Sequence, residues 1–99
     1  MTDYNPQELQ KKYEEWCELH HKQLEAQQQF LKAEALQNEL KDYYLNPQWM
    51  ADREADLPIE YSGKEHSIFS EDALWSMLSD HDELARKWIR LGLDAIDKK

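Results

Sequence analysis

At 99 residues the chain has the length of one domain, residues 1–99, and a chain of this size buries about two-thirds of the surface its unfolded form exposes. The apolar fraction of 40% lies a little below the globular norm, and eleven aromatics offset part of the deficit, so a small core is expected despite a mean hydropathy of −0.99. A net charge of −9 disfavours free DNA, free RNA and anionic membrane as ligands, because each repels an acidic surface.

Cys17 is the single cysteine and has no intramolecular disulfide partner. The N-terminus has no arginine-led apolar segment, and no run approaches the ~18 apolar residues of a membrane span. These features predict a soluble protein of the reducing cytoplasm. The charge is unevenly placed. Residues 1–51 hold nine acids and five bases, residues 52–83 ten acids and two bases, and residues 84–99 two acids and five bases. The middle third therefore carries −8 and suits a basic protein partner.

Asn5-Pro6-Gln7-Glu8 opens the first helix, with Asn5 as cap, Pro6 at the first helical position and Glu8 at the capping-box spacing. Leu9, Tyr13, Trp16, Cys17, His20, Leu24 and Leu31 then follow one stripe at helical spacing. Leu36, Leu40 and Tyr43 keep the spacing but point the other way. A straight helix from Pro6 to Leu45 would run about 60 Å at ~1.5 Å per residue, so a kink or break is expected between Phe30 and Ala35. Lys32 to Leu45 is then a second helix.

Asn46-Pro47 repeats the cap-then-proline device and predicts a short helix from Pro47 to about Ala55, ended at Asp56-Leu57-Pro58. Ile59 to Phe69 reads as an ordered loop or a short hairpin. Ser70 is the expected cap of the next helix, with Glu71 and Asp72 in its first turn and Leu74, Trp75, Met77 and Leu78 on its buried face. Ser79-Asp80-His81-Asp82 predicts a restart, with Asp80 as cap and Glu83 at the box position. The last helix runs to about Asp97, with Leu84, Trp88, Leu91 and Ala95 in one stripe widened by Ala85, Ile89 and Ile96. Lys98 and Lys99 close it at the end where positive charge is favoured.

Leu40, Tyr43-Tyr44, a turn, Trp49, Asp52, an acidic stretch and then Ser70-Glu71-Asp72-Ala73-Leu74-Trp75 with Leu78 form a pattern. It resembles that of a family of small bacterial helical proteins known only as a domain of unknown function. The match runs from about Leu40 to Leu78. Leu45-Asn46-Pro47 stands where that family favours a small residue, and Phe69 where it favours an aliphatic. The resemblance implies an all-helical cytosolic protein and carries no activity with it.

Chemistry has little to stand on. Glu18-x-x-His21 has the spacing of a di-iron half-site, but no second Glu-x-x-His exists, since neither His66 nor His81 has a glutamate three residues before it. Cys17-x-x-His20 lacks the second pair of a zinc site. With glycine only at positions 63 and 92, no nucleophile elbow or phosphate loop forms. No catalytic residue, metal or cofactor is assigned.

Two surfaces remain. The acidic set Asp52, Glu54, Asp56, Glu60, Glu65, Glu71, Asp72, Asp80, Asp82 and Glu83 faces either a basic protein or water. Tyr43 and Trp49 read as core. Tyr44 lies off the Leu36–Leu40–Tyr43 stripe and is the aromatic expected at the surface, as a binding hot spot.

The fold expected is all-α: a compact bundle of four to five helices, the first long and kinked or broken near residue 33. The function expected is that of a non-enzymatic inhibitor, immunity or adaptor protein. Its partner-binding residues are Tyr44, Asp52, Glu54, Asp56, Glu60, Glu65, Asp80, Asp82 and Glu83. The alternative is a homo-oligomeric structural protein assembled through its long N-terminal helix.

Overall fold

The computed structural model describes residues 3–98 and contains, among these, three helices and no strand. They are α1 (Pro6–Tyr44), α2 (Pro47–Glu54) and α3 (Ala73–Asp97). The all-α class stands, with three helices in place of four to five.

Helix α1 starts as its sequence dictates. The Asn5 side-chain oxygen accepts from the backbone N–H of Gln7 at 3.0 Å and of Glu8 at 3.3 Å, satisfying two of the free donors at the helix start. No break follows near residue 33. Residues 32–36 read Lys-Ala-Glu-Ala-Leu, all strong helix formers, and nothing there interrupts the backbone ladder. The change in stripe marks a change in which face is covered. Ala26, Phe30, Gln37, Leu40 and Tyr44 are the half-buried positions beyond residue 20 that keep heptad spacing, with Tyr43 half-buried beside them.

The structure divides inside this helix into two compact units, Met1–Ala33 and Glu34–Lys99. In the first, α1 is the only element among the described residues, and side-chain pairs four residues apart line its polar surface: Gln10 with Glu14 at 3.1 Å and His21 with Glu25 at 3.1 Å.

The second unit holds the end of α1, all of α2 and α3, and the small core. At the corner, the Leu45 and Asn46 N–H groups donate back to the carbonyls of Lys41 and Tyr43. The Asn46 side chain then caps α2 by accepting from the Gln48 N–H at 2.8 Å, and Pro47 fills the first turn. Helix α2 ends in a Schellman motif. The Asp56 N–H donates to the Arg53 carbonyl at 3.1 Å and the Leu57 N–H to the Asp52 carbonyl at 3.4 Å, with Asp56 left-handed at φ +53°. Aspartate tolerates this region less well than glycine. Asp56→Gly is therefore expected to stabilise the fold by about 0.5–1 kcal/mol in urea melts. A loss of stability would mean that the Asp56 carboxylate, not its backbone, matters.

Between α2 and α3 the chain forms turns and no hairpin. The Ser62 hydroxyl accepts from the Lys64 N–H, with Gly63 at φ +81° between them. The Ser67 hydroxyl accepts from the Phe69 N–H, and the Ser67 carbonyl from the Ser70 N–H at 3.0 Å. This last turn overrides the expected cap at Ser70. Helix α3 begins three residues later at Ala73, Asp72 takes the cap position without a side-chain bond, and the Asp72 carbonyl accepts from the Ser76 N–H. The Ser70 hydroxyl is enclosed, with no hydrogen-bond partner among the described residues.

The restart at Asp80 is also absent, since α3 runs unbroken through Ser79–Asp82. The reason lies in the covered face. Ala73, Leu74, Met77, Leu78, His81, Ala85 and Trp88 are its buried or half-buried positions, and one stripe at this spacing requires one continuous helix. Asp82 and Glu83 reach forward to Arg86 at 2.8 Å and Lys87 at 3.3 Å, the favourable order for such pairs. The core of the unit is small: among the described residues Trp49 at 6% exposure and Leu74 at 4% are the buried hydrophobic side chains, so Trp49 is the one aromatic it encloses.

Candidate functional site

The corner around α2 holds the densest set of side-chain interactions. The Tyr43 hydroxyl donates to Asp52 Oδ2 at 2.6 Å, and Gln48 Nε2 donates to the same oxygen at 3.3 Å. Trp49 Nε1 donates to the Ile68 carbonyl at 3.0 Å, tying α2 to the loop before α3. Tyr44 meets the Trp49 ring edge-on at 4.8 Å, and the Arg53 guanidinium lies 5.5 Å from the Trp49 ring centre. Tyr44 is thus half-buried against Trp49 instead of exposed, because the residue after Tyr43 also falls on the covered side of α1.

The bond to Asp52 pushes the Tyr43 hydroxyl up to about 12 from its usual 10. A phenol whose folded value lies above its unfolded one contributes stability that is complete below pH 10 and lost as the pH climbs through about 12. Wild-type protein should weaken over that window, and Tyr43→Phe should be less stable at neutral pH with a flatter alkaline limb, read by urea midpoints across pH. Identical alkaline limbs would show that the bond does not form in solution.

The acidic run has two parts. Asp52, Asp82 and Glu83 are engaged by Tyr43 and Gln48, by Arg86 and by Lys87 respectively. Asp56 serves the backbone turn that ends α2. Glu54, Glu60, Glu65, Glu71 and Asp80 are exposed on α2, the connecting loop and α3. The nine expected partner-binding residues all lie in the second unit, where Asp52 braces the corner and Asp82 and Glu83 stay exposed while paired along α3.

A second surface was visible in the sequence only as a supposed core stripe. On α1, Leu9, Tyr13, Trp16, Leu24 and Leu31 are 44%, 61%, 57%, 48% and 57% exposed. Trp16 stacks on His20 at 4.8 Å with their planes 9° apart, and the half-buried Cys17 bonds the Tyr13 hydroxyl and raises its pKa. At the end of α3, Ile89, Leu91, Leu93 and Ile96 are likewise exposed, although Ile89, Leu91 and Ile96 were expected on the covered face. No single-sequence signal separates an apolar stripe that is covered by its own chain from one that is not.

Metal-type chemistry gains no geometry here. His21 pairs with Glu25, not with Glu18, and no group of three or more His, Cys, Asp or Glu side chains able to hold a metal occurs among the described residues. No helix is long and apolar enough to cross a membrane among the described residues.

No curated protein and no solved structure matches the chain. Residues 7–91 match the family described as Domain of unknown function (DUF4298), a span that takes in α1 from its first turn, all of α2 and most of α3. With that much of its length matched, and with the tyrosine pair, Trp49 and the Ser70–Leu74 segment inside the match, the chain belongs to the DUF4298 family.

Proposed function

We propose that this chain is a non-enzymatic protein-binding component, and that its contact element is the apolar stripe of α1. One observation carries this reading: Leu9, Tyr13, Trp16, Leu24 and Leu31 stay 44–61% exposed on the part of α1 that is the sole element among the described residues of the first unit. A lone helix gains little from propensity, and most helical stability in proteins comes from packing an apolar face. Five large apolar side chains along one face therefore mark a surface that is completed by association.

The acidic run supports a second reading, in which exposed Glu54, Glu60, Glu65 and Asp80 meet a basic partner. The two separate cleanly. Leu24→Glu with Leu31→Glu is expected to abolish capture of the partner from a lysate of the source organism, while far-UV circular dichroism keeps its helical signal. Capture that survives this pair, but falls with salt and with neutral substitutions at Glu54, Glu60, Glu65 and Asp80, would move the function to the acidic surface.

A further inference from the structure

We propose that the partner of the α1 stripe is a second copy of this chain, which lays the last turns of its own α3 on it. The inference rests on the reading of that stripe as a contact element, and three observations select the occupant.

The first is a second apolar surface of matching kind. Beyond Trp88 every described position of α3 is exposed, and at ~100° per residue Ile89 at 63%, Leu93 at 55% and Ile96 at 73% share one face, with Leu91 on the opposite one. Gly92 sits among them, and no atom lies within 4 Å of where its Cβ would stand, so the chain itself makes no use of the gap. A glycine inside a helix costs about 1 kcal/mol relative to alanine, and it leaves room for another helix to approach.

The second is charge. Residues 3–18 carry five acids and two bases, a net −3, while residues 84–99 carry two acids and five bases, a net +3. The beginning of α1 and the end of α3 attract one another across a contact between copies. Pairing α1 with α1 in parallel sets like net charges side by side, which disfavours it.

The third is area. Enclosed Trp and Tyr side chains bury 150–250 Å² each, so the stripe of α1, with Tyr13, Trp16 and three leucines, offers on the order of 500 Å², and the aliphatic Ile89–Leu93–Ile96 face of α3 on the order of 300–400 Å². In a two-fold dimer both patches of both copies are used, which gives roughly 800–900 Å² per partner against the ~800 Å² of a standard interface. One patch alone falls short.

Light scattering on the purified full chain tests this. The wild type is expected to double its 11.9 kDa mass as concentration rises through the micromolar range. Leu24→Glu/Leu31→Glu and Ile89→Glu/Ile96→Glu should each stay monomeric with unchanged circular dichroism, since all four side chains are exposed. An equimolar mixture of the two variants should recover dimer at higher concentration, because one intact stripe then meets one intact α3 end. A wild type that is monomeric throughout overturns the proposal. So does an Ile89→Glu/Ile96→Glu variant that dimerises like the wild type, which assigns the contact to α1 against α1. If the wild type is monomeric yet still loses a captured partner on Leu24→Glu/Leu31→Glu, the self-pairing fails while the contact element stands.

Discussion

Replacing Trp49 by alanine is expected to cost about 3–5 kcal/mol, the range for deleting a buried large aromatic. Total stabilities of small domains run only 5–15 kcal/mol, and among the described residues this unit has just Trp49 and Leu74 as buried hydrophobic side chains. The variant should therefore be largely unfolded in the Glu34–Lys99 unit near room temperature. The loss has three physical parts. The ring fills the angle between α2 and the loop before α3, at 6% exposure. Its Nε1–H satisfies the Ile68 carbonyl at 3.0 Å. Its faces and edges hold Arg53 and Tyr44. Trp49→Phe separates them, since it keeps most of the apolar area and removes the donor. Its cost should be about 1–3 kcal/mol, the penalty of leaving one enclosed polar group unmet. Urea melts followed by circular dichroism read both. A Trp49→Ala loss below about 1 kcal/mol would mean that the corner is not the core of this unit.

Ala33→Pro should cost about 3 kcal/mol or more and remove helical signal on both sides of the substitution. Proline deletes a backbone donor and clashes with the carbonyl four residues earlier, so a continuous helix pays in full. A helix that started afresh near residue 33 would accept proline in its first turn at little cost. Ala33 is exposed, so packing does not confuse the result, and Ala33→Gly, at about 1 kcal/mol, supplies the reference for lost propensity alone. A proline variant no worse than the glycine variant would restore the break that the change in stripe suggests.

What was legible in the sequence was local. Asn5-Pro6 and Asn46-Pro47 mark helix starts through one cap and one ring, and both operate as read. The short helix from Pro47, the end of the last helix at Asp97 and the enclosure of Trp49 followed from neighbouring residues alone. The misreadings share a cause. Ser70 and Asp80 carry valid cap chemistry, yet a cap residue only offers a start. At Ser70 the turn closed by Ser67 took precedence, and at Asp80 a covered stripe from Leu74 to Trp88 kept the helix whole. The second stripe of α1 was legible in part: Leu40 and Tyr43 are half-buried, whereas Leu36 is 52% exposed and the covered positions of the middle of α1 include Ala26 and Gln37, which are not large apolar residues.

The sequence by itself determined the helical class, the caps, the corner at Asn46-Pro47 and the family pattern, since each depends on residues within a few positions of one another. Tertiary structure alone decided which of two apolar stripes on α1 is covered, that Asp52 bonds Tyr43 of α1, and how little of the aromatic content enters a core, whereas Asp82 and Glu83 stay exposed and pair within α3. The physical reason is that periodicity reports the existence of an apolar face, whereas its covering depends on where distant parts of the chain come to lie.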